Sequence, residues 1–281
     1  MGAEFDVVVV GAGTAGANTA YQFARRGRKV LLVERRPADQ GGAQWHNGVL
    51  DRHFVRAGLE PPSGAERGTG GNAVHLRSRD PRIGPTLRES PTVAADMALL
   101  GQRLRKLAAE AGTGIVDEVE DFDVDLDPRT GRMRSLTLRR EGGTTPRTVS
   151  ARLFVDATGR RGMLRRHAPD LAPWCPPLTR DDLCSASDAH HVVADRAGAE
   201  EFLRRHGAEP GDAVTYVGIS GGYSTCAVTV AEDLGQVGIL VGCLANGRYG
   251  TGPKMVADAC AREPWIGEVI ASGTGVIPLR R

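Results

Sequence analysis

The sequence predicts an α/β fold: a parallel-sheet crossover domain carrying an antiparallel meander, then a β-sheet-rich α+β domain. Three observations predict it. The run FDVVVV, apolar but for Asp6, ends in glycines at positions 11, 13 and 16. A helical apolar stripe over 96–111 leads into three strand-length runs separated by turn residues. Beyond about residue 166, alternating or apolar strand patterns dominate, interrupted by two helical ones. With 281 residues and 41% hydrophobic content, the chain can bury the core of one large α/β domain or two smaller ones.

Phe5–Val10 has the length and, Asp6 apart, the apolarity of a strand buried on both faces, as a central parallel strand is. From Thr14 to about Arg26 the period becomes helical, with Ala17, Ala20, Tyr21 and Ala24 on one face and Gly27 placed as a left-handed stop. Lys29–Glu34 reads as the second strand. In such a strand–turn–helix–strand unit Gly11 permits the tight turn, Gly13 lets a pyrophosphate approach the backbone, and Gly16 lets the helix pack against the strand. The helix N-terminus then offers unpaired N–H groups to phosphate. Glu34 closes the second strand twenty-three positions after Gly11, where a carboxylate accepts hydrogen bonds from a ribose. An acid there favours NAD or FAD over NADP, although Arg35 and Arg36 follow it.

Met97, Leu100, Leu104, Leu107 and Ala111 form the stripe of a core-facing helix ended by Gly112. Ile115–Leu126, Met133–Arg140 and Arg147–Asp156 then read as a three-stranded meander, broken at DPRTGR and at Gly-Gly-Thr-Thr, and its last strand runs into Asp156-Ala157-Thr158-Gly159. Farther on, Ser185–Val193, Ala213–Ser220, Tyr223–Ala231 and Gly235–Leu244 read as strands, and Asp195–His206 and Pro253–Arg262 as helices, before a short tail, VIPLRR.

Composition narrows the partners. Net charge is +2, and the basic residues are nearly all arginines scattered along the chain, which gives no nucleic-acid footprint. The five cysteines lie at wide spacings without a CxxC, so no disulfide framework and no metal site is expected, and a reducing cytoplasm fits. No apolar stretch approaches membrane-spanning length. G-x-S-x-G, H-E-x-x-H and Walker sequences are absent, which removes common hydrolase, zinc-protease and phosphoryl-transfer readings.

A GxGxxG unit with an acidic second-strand end, a long helix, a meander and a strand closing in DATG resembles the FAD-binding portion of the flavoprotein monooxygenase and geranylgeranyl-reductase superfamily, which shares the para-hydroxybenzoate hydroxylase-like fold. The resemblance covers roughly residues 1–165. It implies a Rossmann-like FAD-binding domain over 1–165, with about 61–93 crossing to the substrate side, and a substrate domain over 166–281. It implies that Gly11, Gly13, Gly16, Glu34, Asp156, Ala157, Thr158 and Gly159 hold the ADP half of FAD. Arg35, Gly41 and Gly42 belong to a loop that relatives place near the flavin. Relatives put an arginine near the start of the long helix to meet the pyrophosphate, where this chain reads Ala94-Ala95-Asp96-Met97; Arg103 is the candidate to compensate.

The tryptophan-rich WxWxIP pattern of flavin halogenases is missing, and GGYSTCAVTV stands where prenyl reductases have an aromatic strand. In the family, a Gly-Asp strand and helix complete the flavin site after a tail like VIPLRR; Gly211-Asp212 comes too early for it. The expectation is a fragment, one half of a split flavoprotein whose partner chain supplies that segment, or a degenerate fold, with the intact fingerprint favouring the first two.

The resemblance implies an FAD-dependent oxidoreductase, a monooxygenase or reductase on a small polycyclic or isoprenoid substrate, with NAD(P)H as transient electron donor. An NAD-dependent dehydrogenase without flavin and a non-catalytic FAD-binding subunit are the alternatives. His46 and Trp45, in the loop after Gly41-Gly42, are the catalytic candidates. His190 and His191 are adjacent in a strand, so their rings point to opposite faces and cannot chelate one metal together. Arg160, Arg161, Arg165 and Arg166 form a solvated basic face or meet phosphate, and Cys226 and Cys243 are core.

Overall fold

Along the chain run β1 (Phe5–Val10), α1 (Thr14–Ala24), β2 (Val30–Val33), β3 (His46–Leu50), α2 (Asp51–Ala57), β4 (Val74–Arg77), β5 (Thr86–Leu87), β6 (Thr92–Asp96), α3 (Met97–Glu110), β7 (Gly114–Val116), β8 (Val119–Leu126), β9 (Met133–Arg140), β10 (Arg147–Asp156), β11 (Leu183–Val193), α4 (Arg196–His206), β12 (Ala213–Val217), β13 (Ser224–Val230), β14 (Gln236–Leu244), α5 (Gly252–Arg262) and β15 (Ile266–Pro278). The computed structural model describes residues 4–68, 73–78, 80, 83–88, 91–140, 142–143 and 145–279. Thr144 of the second meander break and Arg280 and Arg281 of the tail lie outside them, as does part of the 61–93 stretch. Contacts divide the chain into two units, 1–44 with 97–176 and 45–96 with 177–281, so the excursion out of the first unit spans 45–96 where the sequence reading placed it at 61–93. None of the described helices is long and apolar enough to cross a membrane.

The first unit is a six-stranded sheet in the order β7-β2-β1-β10-β9-β8. β1 lies in the middle because both of its faces are apolar, and its two faces feed different cores. Val7 and Val9 pack under Ala20 and Ala24 of α1 and Ala108 of α3. Val8 and Val10 face Leu136, Leu138 and Val149 of the meander. Burying each such side chain contributes about 1.5–3 kcal/mol, and neither face can be given to water. β10 has a double life. Its first half, Arg147–Ser150, pairs antiparallel with β9, and Ala151 onward pairs parallel with β1 down to Asp156 opposite Val10.

The run read as one strand over 115–126 is two. β7 pairs parallel with β2, the chain turns at Glu118, which adopts φ +54°, and β8 begins the meander. At this turn the Asp117 carboxylate accepts the Ala38 N–H at 3.0 Å, and the Val119 N–H donates to the Glu34 carbonyl at 3.0 Å.

The second unit is a seven-stranded sheet in the order β15-β11-β14-β13-β12-β4-β5. Val237, Ile239, Val241 and Cys243 point to one face, where α4 and α5 bury Phe202, Leu203, Met255 and Ala259. The intervening Gly238 and Leu240 point to the other face, which period-2 alternation requires. The expected short tail is instead the end of the thirteen-residue β15, paired along the whole of β11. Its Ser, Gly and Thr content hides the strand period. Likewise His46–Leu50, expected as loop, is strand β3, paired antiparallel with β6 despite its Asn-Gly step.

Candidate functional site

In the first unit, three backbone segments converge on a cavity of about 430 Å³: the β1–α1 turn, the end of β2 and the Ala157–Met163 segment after β10. The approach is so close that only glycine fits. Gly11 adopts φ +102°, and a Cβ on it would lie 2.3 Å from the Ala157 carbonyl oxygen. A Cβ on Gly16 would lie 1.8 Å from the Gly11 carbonyl oxygen and 3.0 Å from the Ala157 Cβ. Thus Gly16 sets the helix against both the turn and the DATG segment, while Gly13 forms the helix N-cap and lines the cavity. No side chain caps α1 and no acid sits in its first turn, which leaves the first N–H groups for a phosphate.

Glu34 is buried at the cavity wall. Its Oε2 accepts the Ala12 N–H at 2.7 Å and its Oε1 accepts the Arg36 N–H at 3.1 Å. Each oxygen keeps a lone pair for a ribose hydroxyl. Arg36 also donates to the Gly42 carbonyl at 2.8 Å, and with Arg35, Arg160 and Arg161 it makes the cavity mouth basic. Thr158 and Gly159 line the same cavity.

Four of the sequence candidates do not line the cavity: Gly16, Gly41, Arg103 and Asp156. The Asp156 carboxylate organises the turn, accepting from Thr158 N–H and Oγ1–H through Oδ1 and from the Leu164 and Arg165 N–H groups through Oδ2. The helical cation that meets this region is Arg105, two positions beyond the residue that sequence reasoning singled out. It is buried and donates to the carbonyls of Ala12 at 3.0 Å, Gly41 at 2.9 Å and Asp39 at 3.2 Å. Burial lowers its pKa from the usual value while the carboxylates of Glu34 and Asp39 act the other way. Gly101, one turn earlier, makes room for it, since a Cβ there would lie 3.0 Å from the guanidinium Nη1. A glycine four positions before an arginine on a core-facing helix was the available sequence signal.

The second unit has a separate pocket of about 180 Å³ on the sheet face away from its helices, under the β3–β6 ribbon. Small residues make its floor, Ala213, Ala227 and Gly238 among them. At one end stand His46, Asp188 and His190. His190 Nε2 lies 3.0 Å from His46 Nδ1, and both nitrogens lie 3.3 Å from Asp188 Oδ2, which also accepts the His46 N–H at 2.9 Å. Burial acts to raise the Asp188 carboxyl, but the hydrogen bonds from His190 and His46 prevail and hold it well below the usual carboxylate range. The hydrogen bond to Asp188 raises His46 above its ordinary pKa, against burial. His191 points the other way, to the Gly267 carbonyl at 2.9 Å, as strand alternation requires. Trp45 packs its ring where a Cβ on Gly275 would lie, 2.7 Å from Cη2. Sequence reasoning singled out His46 and weighed His190, but not Asp188.

Residues 6–166 match the family model described as FAD dependent oxidoreductase. The chain belongs to the FAD dependent oxidoreductase family. It is an enzyme family whose cofactor the glycine turn, Glu34 and the DATG segment fit: the backbone approach needs glycine at 11 and 16, and the helix N-terminus is open.

Among curated relatives, the digeranylgeranylglycerophospholipid reductase of Sulfolobus acidocaldarius is 29% identical over 182 residues, 64% of this chain but 39% of the relative. A thiamine thiazole synthase of Desulfosudis oleivorans is 26% identical over 267 residues, 92% of this chain and 90% of the relative. The chain therefore spans well under half the length of the first of these and most of the second.

Among solved structures, a geranylgeranyl bacteriochlorophyll reductase-like protein from Thermoplasma acidophilum superposes with a TM-score of 0.73 at 19% identity, covering 99% of this chain and 67% of that one. Aklavinone-11 hydroxylase in ternary complex with FAD and aklavinone superposes with 0.61 at 19% identity, covering 99% and 54%. At such identities these two show the fold, which is the Rossmann-like FAD-binding architecture expected from the sequence.

Proposed function

We propose that the chain binds the ADP half of FAD in the first unit's cavity and serves a reductase of a small apolar, isoprenoid-type substrate, with NAD(P)H as the electron donor. The carrying observation is the contact of Gly11 and Gly16 with Ala157, which puts both nucleotide motifs on one cavity beside Glu34. In this reading the N–H groups at the start of α1 take the diphosphate, Glu34 accepts from the ribose, and Arg35, Arg36, Arg160 and Arg161 draw the dinucleotide in. Arg105 clamps the 39–41 loop against Ala12 and so keeps the cavity's shape. Bound flavin supplies hydride transfer, and the protein orients it and excludes water. The second unit's pocket, with its small-residue floor, is the proposed substrate site. The reductase branch is preferred over the monooxygenase branch because a curated reductase matches at 29% identity.

Titration of the purified chain with FAD and with NAD, followed by flavin absorbance and tryptophan quenching, tests the cofactor. Saturable FAD binding that is lost in Glu34→Ala supports the proposal. Binding of NAD with indifference to FAD overturns it in favour of a flavin-free dehydrogenase. Anaerobic flavin reduction by NADH or NADPH, then product analysis with an isoprenoid alkene, separates a reductase from an oxygen-consuming monooxygenase.

A further inference from the structure

We infer that His46, Asp188 and His190 form a binding site for one first-row divalent transition-metal ion, held on a single face so that the side toward the second unit's pocket stays open to a small ligand. Three facing donor atoms, His46 Nδ1, His190 Nε2 and Asp188 Oδ2, form a triangle with edges of 3.0, 3.3 and 3.3 Å. Protein ligands at about 2.0–2.2 Å from a metal are separated by about 3.0 Å at octahedral angles and about 3.4 Å at tetrahedral ones, so these edges are ligand–ligand spacings. The corners lie about 1.9 Å from the centre of that triangle, and an ion at metal–ligand distance sits just off its plane. It is therefore bound facially, with its remaining positions free.

Proton counting makes the same point. With one proton between the two imidazole nitrogens, one nitrogen's lone pair faces the lone pairs of Asp188 Oδ2, and that edge is repulsive. With both nitrogens protonated, two N–H groups face each other across 3.0 Å. Every neutral or protonated arrangement leaves one edge of the triangle unpaired, whereas a dication at its centre accepts all three lone pairs. Two imidazoles and one carboxylate are the donor set that suits iron, manganese, cobalt, nickel or zinc better than calcium or magnesium.

The surroundings hold the donors in place. The His46 N–H fixes Asp188 Oδ2 at 2.9 Å. Gly68 leaves space for the His46 ring, since a Cβ there would lie 2.9 Å from Cδ2. Asp188 and His190 are two positions apart on β11 and so share a face, while β3 carries His46 over them. The free side opens on Gly238, Ala227 and Ala213, whose small side chains leave volume for a ligand that completes the coordination.

The test uses the full chain, stripped with chelator and titrated with Co²⁺ as the probe, read by its visible d–d absorption and by calorimetric stoichiometry. The expected result is one ion per chain, with affinity lowered on the order of a hundredfold in His46→Gln and in His190→Gln. His191→Gln, on the opposite face of the same strand, is expected to keep the ion. Absence of saturable Co²⁺ binding, or equal binding in wild type and the His46 and His190 variants, or equal loss in His191→Gln, overturns the proposal. A Mn²⁺-soaked crystal decides without any variant: an anomalous peak between the three donor atoms supports the site, and peaks only elsewhere refute it.

Discussion

The cavity in the first unit is walled by main chain, and the pocket in the second by side chains. Around Gly11, Gly16 and Ala157 carbonyls and N–H groups approach until no methyl can be inserted, although Ala157 is as remote in sequence from the two glycines as the second unit's groups are from one another. Around His46, Asp188 and His190 the groups come from strands 142 and 144 positions apart, and the floor beneath them has room to spare. The difference teaches where each site tolerates change. A main-chain wall fails on the smallest added atom, while a side-chain pocket can be refilled or re-lined at little cost to the fold.

The harshest way to break that contrast is Gly16→Ala. The added carbon meets the Gly11 carbonyl at 1.8 Å, so α1 must shift off the sheet, and a loss of about 3–5 kcal/mol together with loss of FAD binding is expected. Thermal melting with and without FAD reads both, and an unperturbed melt would show that the wall yields. Next comes Arg105→Met, which keeps helix propensity and bulk but leaves the buried Ala12 and Gly41 carbonyls without donors. About 2–4 kcal/mol is expected from denaturant unfolding, with FAD affinity weakened about tenfold.

A buried histidine gives the second unit a pH signature. Burial first, then the charges of Arg205, Arg77 and His75, push His206 down to about 4 from the ordinary 6.5. The unfolded chain therefore binds this proton more readily, and the contribution of His206 to stability is fully present above pH 6.5 and falls as pH drops toward 4. The loss levels off below that at about 3 kcal/mol. Its Nδ1 is buried without a partner, which adds nothing to offset the penalty. Melting curves across this range are expected to flatten in His206→Gln. The smallest effect closes the series: Ala227→Val adds bulk at the pocket floor and is expected to change stability by less than about 1 kcal/mol while excluding pocket ligands, a result opposite in kind to Gly16→Ala.

The same contrast explains what could be read in advance. Gly11, Gly13, Gly16, Glu34 and Asp156-Ala157-Thr158-Gly159 were legible because a backbone-built site depends on local spacing and on residues chosen for what they lack. The core strands and α1, α3, α4 and α5 were legible from their periods. Arg105 is not legible in the sequence because α3 announces itself by its apolar stripe, and a cation on the buried face does not register in that pattern. Asp188 is not legible either, because its partners are set by the pairing of β3 over the sheet, a tertiary fact with no local trace. β15 was missed because its pairing with β11 is long while its composition is small and polar, so strand formation there is dictated by the neighbour.

Strand β10 carries one more implication. A single ten-residue segment is laddered to β9 at its start and to β1 at its finish, so an unbroken run of backbone pairing joins the strand that leaves the hairpin at Asp127–Arg132 to the turn at Asp156. A fluorophore fixed on that exposed tip becomes a remote gauge: filling or emptying of the nucleotide cavity should register there as a change in its motion, without any label near the cofactor.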